Sequence, residues 1–212
     1  MKKNLVLDGA EPLVLGRFGK AQGASMMAEA RARFEALCAE NQDDPKALVH
    51  HTHDNIYPTI ALFETLVKAG MARQEAADFL YLFYAEWSGK MGQKIRTFLR
   101  CPYLYKLMPA LWKTIVPKMY SEQAGFRFRF YDVGKRRVKF DMLACPYYET
   151  CVRCGCPEIV PAFCRSDVGC YGDMHPRLRW NRTKTIGVGA DVCDFDIIVE
   201  EAKETQGGTK RC

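Results

Sequence analysis

The 212-residue chain lacks an uninterrupted apolar run of the roughly 18 residues needed to span a bilayer, which argues against a membrane-embedded protein. Its opening, MKKNLVLDGAEPLVLGRFGK, carries Lys2 and Lys3. Asp8, Gly9, Glu11 and Pro12 then break the apolar stretch, so the segment does not read as a signal peptide. There is no internal repeat, and no stretch is rich enough in Pro, Gly or Ser to separate independent domains. The expectation is one domain over residues 1–202, mostly helical over 1–120 and carrying the cysteine motifs over 121–202, with a flexible tail at 203–212. Glycine patterns for nucleotides are missing too: Gly187-x-Gly189 is a lone fragment sitting where a turn is expected. The net charge of +6 comes from Lys and Arg scattered through the chain, with only the short run Lys135-Arg136-Arg137. A nucleic-acid binder would gather such charge on one face among aromatics, so the expected partner is a small acidic molecule, with neither nucleic acid nor membrane involved. Oligomeric state is left open, and no cofactor is expected.

What the chain has in abundance is cysteine, ten in all, seven of them between Cys145 and Phe195. A chain of this length with 48% hydrophobic residues builds a core without disulfide staples, so the cysteines read as thiols in a reducing cytoplasm. The match of Asn181-Arg182-Thr183 to a glycosylation sequon is accidental on the same grounds.

Hydrophobic periodicity divides the chain near Gly125. Residues 1 to 20 carry no clear period and read as an arm. Ala24 to Ala39 is an amphipathic helix on Met27, Ala30, Phe34 and Leu37. His50, His51 and His53 with Asp54 form a polar connection capped at Asp54 or Asn55, followed by a short helix from Thr59 to Ala69 that stops at Gly70. A longer helix begins at Arg73 and runs toward Leu99, weakened at Gly89 and Gly92. Another covers Leu104 to Tyr120, limited by Pro109 and Pro117. Past Gly125 the period becomes two. Phe126, Phe128 and Phe130, then Val138, Phe140 and Met142, alternate with charged residues as a β-hairpin. Pro146 and Pro157 each open a short helix. Leu178–Val188 and Val192–Val199 read as two further strands joined at Gly189-Ala190-Asp191. The fold class is therefore α+β: a helical N-terminal half on an antiparallel sheet made of two hairpins with a short helical connection.

Several residues in the final third could carry chemistry. Cys164 and Asp167 lie three apart on one short helix and can share a cleft, where a carboxylate beside a thiol or a water supplies proton transfer. The bland alternative is a buried cysteine and a turn aspartate. Alternation on the last strand puts Cys193 on one face and Asp194 on the other, so a regular strand lets only one of them enter a given site. Arg182 falls in the row Leu178, Trp180, Arg182, whose members face the core. An arginine there needs an anion, either a substrate carboxylate or an internal aspartate. Thr183 falls on the opposite face. Cys151, Cys154 and Cys156 form a CxxCxC cluster that matches no standard metal-ligand spacing, which leaves metal binding unassigned. His53 and His175 are the candidate histidine bases.

The order Cys145-Pro146-Tyr147, Pro157-Glu158, Phe163-Cys164 with Asp167, Arg182-Thr183 with Thr185, Gly189 and Cys193-Asp194-Phe195 resembles the L-2-amino-thiazoline-4-carboxylic acid hydrolase family. The specific motifs cover about the C-terminal third, and the helical part agrees only in general pattern. The resemblance implies an enzyme that opens a small cyclic amidine to N-carbamoyl-cysteine. It nominates Cys145, Cys164, Asp167, Cys193 and Asp194 for catalysis and Arg182, Thr183, His53 and His175 for substrate binding. The competing classes are a non-enzymatic small-molecule or metal- and redox-sensing protein, and a hydrolase of another cyclic amidine, urea or thioester.

Overall fold

The computed structural model describes residues 3–200, so the expected tail at 203–212 lies outside the described residues. The chain starts with a helix where an arm was expected, α1 (Leu5–Phe18). Asn4 caps it, its side chain accepting from the backbone N–H groups of Val6 and Leu7. The buried residues Val6, Leu7, Ala10 and Val14 do follow a helical spacing. Gly9 and Pro12 hid it, yet Pro12 removes only one backbone donor, and Gly9 lets the Phe83 ring lie against the backbone. Helix α2 (Lys20–Glu40) follows and buries Met27, Ala30 and Leu37 as expected.

The histidine segment is also helical, which corrects its reading as a connection. Helix α3 (Lys46–His51) runs through a π-helical turn, Thr52–Ile56, into α4 (Tyr57–Lys68). Helix α5 (Arg73–Leu99) is unbroken through Gly89 and Gly92. A 3₁₀ turn at Leu104–Leu107 leads into α6 (Met108–Met119). Then come β1 (Arg127–Val133), β2 (Arg137–Ala144), α7 (Pro146–Arg153) and α8 (Val160–Tyr171). The chain closes with β3 (Leu178–Asn181) and β4 (Cys193–Val199).

The four strands form one antiparallel sheet in the order β1-β2-β4-β3. The class is α+β as read, and the first hairpin is where its alternation put it. The second is not a tight hairpin: β3 ends at Asn181 and a loop of residues 182–192 precedes β4. Asp194 is the cause, because it draws the backbone N–H groups of Thr183 and Lys184 away from the ladder. Register places Met142 opposite Cys193 and Phe140 opposite Phe195. One face, with Val138, Phe140, Leu178, Trp180 and Ile197, is buried, and α6 lies across it through Trp112 and Val116.

Two apolar clusters result. One joins α1, α2, α4 and α5, and the other joins the sheet and α6, while Tyr147 and Tyr148 touch both. Helix α8 is clamped to α5 by small residues. A Cβ on Gly92 would collide with the Gly169 carbonyl oxygen, and one on Gly169 would collide with the Ser88 hydroxyl. Close approach, and not helix weakness, explains Gly92. Among the described residues no helix is long and apolar enough to cross a membrane.

Two substitutions in one helix test the clamp. Gly92→Ala should destabilise the fold by about 1–3 kcal/mol through overpacking. Gly89→Ala, at an exposed position with nothing within 4 Å, should stabilise it by up to about 1 kcal/mol through helix propensity. Denaturant midpoints that moved in the same direction for both would refute the assignment.

Candidate active site

A cavity of about 420 Å³ lies between the two apolar clusters. Its wall contains Cys145, Cys164, Asp167, Arg182 and Cys193, drawn from the start of α7, from α8, from the loop after β3 and from the start of β4. Five of the sequence-predicted site residues therefore converge although they span 49 positions of the chain. The remainder of the wall is mainly aromatic.

Arg182 settles the question raised by its pattern. Its side chain is only 7% exposed, and its partner is an internal aspartate: Nη1 donates to Asp167 Oδ2 at 2.7 Å and Nη2 donates to the Cys164 carbonyl at 2.5 Å. The guanidinium also lies 5.2 Å from the Trp180 ring and 5.7 Å from that of Phe195. It reaches the core from a loop and not from a strand, so its burial follows from the ion pair where the alternation had suggested it.

Asp167 is the most perturbed acid of the site. Burial pushes its carboxyl up from 3.8 to about 6, against the opposing pull of the charge and hydrogen bond of Arg182. The sign of the linkage follows. A carboxyl that keeps its proton more tightly when folded contributes stability below about pH 4, and that contribution is lost as the pH rises through 6. At neutral pH the fold thus tolerates an ionised group that it would hold more easily protonated, a pattern typical of sites that move protons.

The thiols are also shifted upward, which for them means away from the reactive thiolate. Burial raises Cys145 and Cys164 to about 12 and Cys170 to about 11, and Cys193 rises as well. Ile186 N–H donates to Cys193 Sγ at 3.2 Å. Gly187 lets this loop reach α8, since a Cβ there would sit 2.8 Å from Cys164 Sγ. The lone glycine fragment thereby finds a structural use beside the cavity.

The other nominated residues lie outside the cavity wall. Asp194 faces away from Cys193, as a regular strand requires, and holds the loop. Its carboxylate accepts from the Thr183 N–H at 2.8 Å, the Thr183 hydroxyl at 2.6 Å and the Lys184 N–H at 2.5 Å. Burial opposes its charge, but those donors outweigh it and keep the carboxyl below its ordinary range. Thr183 is exposed. His175 stacks on Tyr105 at 4.1 Å and accepts from the Arg177 N–H at 3.0 Å. His53 packs edge-on to Phe34, and its carbonyl accepts from Asn4 Nδ2.

Two histidines line the cavity, His50 at its exposed rim and the buried His51. Burial lowers the pKa of His51, so the ring is neutral near pH 7. Nε2 lies 2.9 Å from the Met119 carbonyl, which can only accept, so Nε2 carries the proton. Nδ1 is left to accept from the Tyr147 hydroxyl at 3.3 Å. A signal for this was present in the sequence. His50, His51, Asp54 and Asn55 recur at the i, i+1, i+4, i+5 spacing of one helical face, and all four line the cavity.

The CxxCxC cluster lies apart from this wall. Cys151 and Cys156 are buried in the helical core, and Cys154 is half-buried. Among the described residues no three His, Cys, Asp or Glu side chains gather where they could share a metal ion.

Replacement of Arg182 by Gln should move the Asp167 titration upward from about 6, because burial would act without its counterweight. Carboxyl ¹³C chemical shifts followed against pH measure this directly, and an unchanged or lowered midpoint would contradict the pairing.

No curated protein matches the chain. No solved structure matches it either. The family comparison does match, over residues 50–197, so the likeness begins at the histidine helix and reaches well beyond the C-terminal third. That span takes in every cavity residue named above, and the chain belongs to the L-2-amino-thiazoline-4-carboxylic acid hydrolase family.

Proposed function

We propose that this chain is a hydrolase that opens a small acidic cyclic amidine in the cytoplasm, by a reaction of the type that converts L-2-amino-thiazoline-4-carboxylate to N-carbamoyl-L-cysteine. The observation that carries the reading is Asp167, a cavity carboxyl balanced near pH 6 between burial and Arg182. The family name supports hydrolysis, and the seven clustered cysteines, all thiols, suit a reducing compartment.

In such a reaction the oxygen of water adds to the amidine carbon and becomes the carbonyl of the product. The bond from that carbon to the ring sulfur breaks, its electron pair staying on sulfur. Of the two water hydrogens, one ends on the former ring nitrogen and one on the sulfur. Asp167 in its ionised form takes a proton from the attacking water and then supplies one to the departing sulfur. A carboxyl near pH 6 is suited to both steps, since neither form is far out of reach at neutral pH. Arg182 keeps enough of Asp167 ionised. Its guanidinium has five N–H donors, and the ones not engaged by Asp167 and the Cys164 carbonyl can hold the substrate carboxylate. Because Cys145 and Cys164 rest as neutral thiols, they serve as polarisable wall and hydrogen-bond partners, and a covalent route would first require transfer of a thiol proton to Asp167.

Incubation with L-2-amino-thiazoline-4-carboxylate, followed by mass spectrometry, should give the ring-opened product with no lasting protein adduct. Asp167→Asn should cut turnover by at least about 100-fold, while Cys145→Ala and Cys164→Ala stay within about tenfold. An Asp167→Asn protein as active as the unsubstituted one would remove the proposal. In the unsubstituted protein kcat/KM should fall as the pH drops below about 6, because the ionised carboxyl is the working form. Arg182→Gln should shift that acid limb to higher pH.

A further inference from the structure

The cavity is larger than the molecule for which the family is named. Its volume of about 420 Å³ corresponds to about 14 water-sized atoms at the roughly 30 Å³ each occupies in the liquid, whereas 2-aminothiazoline-4-carboxylate has nine non-hydrogen atoms. Covalently bonded atoms pack more closely than that, so the surplus is at least a six-membered ring.

The lining shows what kind of surplus this is. Charge in the interior of the cavity is confined to Asp167 and Arg182 at one wall, the only other charged pair being His50–Asp54, whose two side chains are largely exposed and mark the solvent side. From the charged wall an unbroken series of rings leads away. Phe195, 5.7 Å from the Arg182 guanidinium, stacks on Phe140 at 4.8 Å. Phe140 is followed by Trp112 at 6.4 Å, and Trp112 meets Tyr171 edge-on at 4.9 Å. Tyr171 stands one helical turn beyond Asp167, on the same face of α8. Each ring is held by the next, so the wall is already formed and a flat apolar group can lie on it without ordering anything first. The thiols of Cys145, Cys164, Cys170 and Cys193 add no charge to this space, because burial keeps them protonated. Water against this ring-lined part of the wall has few polar partners, so an apolar group that displaces it gains free energy.

We infer that the substrate is amphipathic: an amidine and carboxylate head meets Asp167 and Arg182, and an aromatic or similarly bulky apolar arm lies along Phe195, Trp112 and Tyr171, which the buried Phe140 supports from behind. The head assignment rests on the hydrolase reading, and the arm rests on the volume and the rings alone.

Two ligands decide it: 2-aminothiazoline-4-carboxylate and its 5-phenyl derivative. Binding is read by quenching of tryptophan fluorescence and by the shift in melting temperature, and turnover is read separately by mass spectrometry. The phenyl compound should bind at least about tenfold more tightly, and Trp112→Ala should shrink that ratio. Should Trp112→Ala fail to fold, the ratio measured on the unsubstituted protein stands as the test. Equal or weaker binding of the phenyl compound overturns the inference, and if the unsubstituted compound is meanwhile opened, the hydrolase reading survives alone. Tighter binding of the phenyl compound with no opening of either ring upholds the amphipathic ligand and removes the hydrolase.

Discussion

The ion pair between Arg182 and Asp167 is the constraint on which the site depends. Removing two charges from water costs more than their attraction returns unless the geometry is good and the remaining donors are satisfied. Here one guanidinium nitrogen meets the carboxylate, a second meets the Cys164 carbonyl, and two aromatic faces cover the flat cation. The pair also ties together two pieces of chain far apart in sequence, the middle of α8 and the loop after β3, which meet a second time where Gly187 packs on Val160 and Cys164. Each is braced from behind. Helix α8 is pressed on α5 through Gly92, Gly169 and Ser88, and the loop hangs on three donors to Asp194. The Asp167 carboxyl is therefore supported by residues that never reach the cavity.

This arrangement changes the reading of the cysteines. A thiolate nucleophile needs nearby positive charge or a helix N-terminus to hold its proton off. The one buried cation of the site is already committed to Asp167, and the thiols sit in an aromatic surround that favours the neutral form. Their abundance is better understood as packing: sulfur is small, polarisable and comfortable against rings. Cys151 and Cys156 do the same in the helical core, away from the cavity. The acid, not the thiols, is left as the group able to exchange protons near neutral pH.

Where the sequence was misleading, the cause was a local signal overruled by tertiary contact. Gly9 and Pro12 read as breakers, but α1 is held by its Asn4 cap and by burial of Val6, Leu7, Ala10 and Val14 against the other helices. Clustered histidines before a helix read as a polar connection, yet the chain stays helical through a π turn and sends His51 inward. The strand expected to run to Val188 stops at Asn181, because Asp194 offers the backbone better partners than the sheet does. The structure places Thr183, His53 and His175 outside the cavity wall, against Asp194, Phe34 and Tyr105 respectively.

By itself the sequence determined the alternation of β1, β2 and β4, the helices that begin at Arg73 and Pro146, the opposite faces of Cys193 and Asp194, and the need of Arg182 for an anion. All of these are set by period or by the cost of an unpaired buried charge, which a linear reading can see. Only the tertiary structure decided which anion Arg182 takes, which histidine enters the cavity and how much empty, ring-lined space remains beside the pair. Those depend on distances between segments far apart in the chain, and side-chain pattern carries no information about them until the segments are packed together.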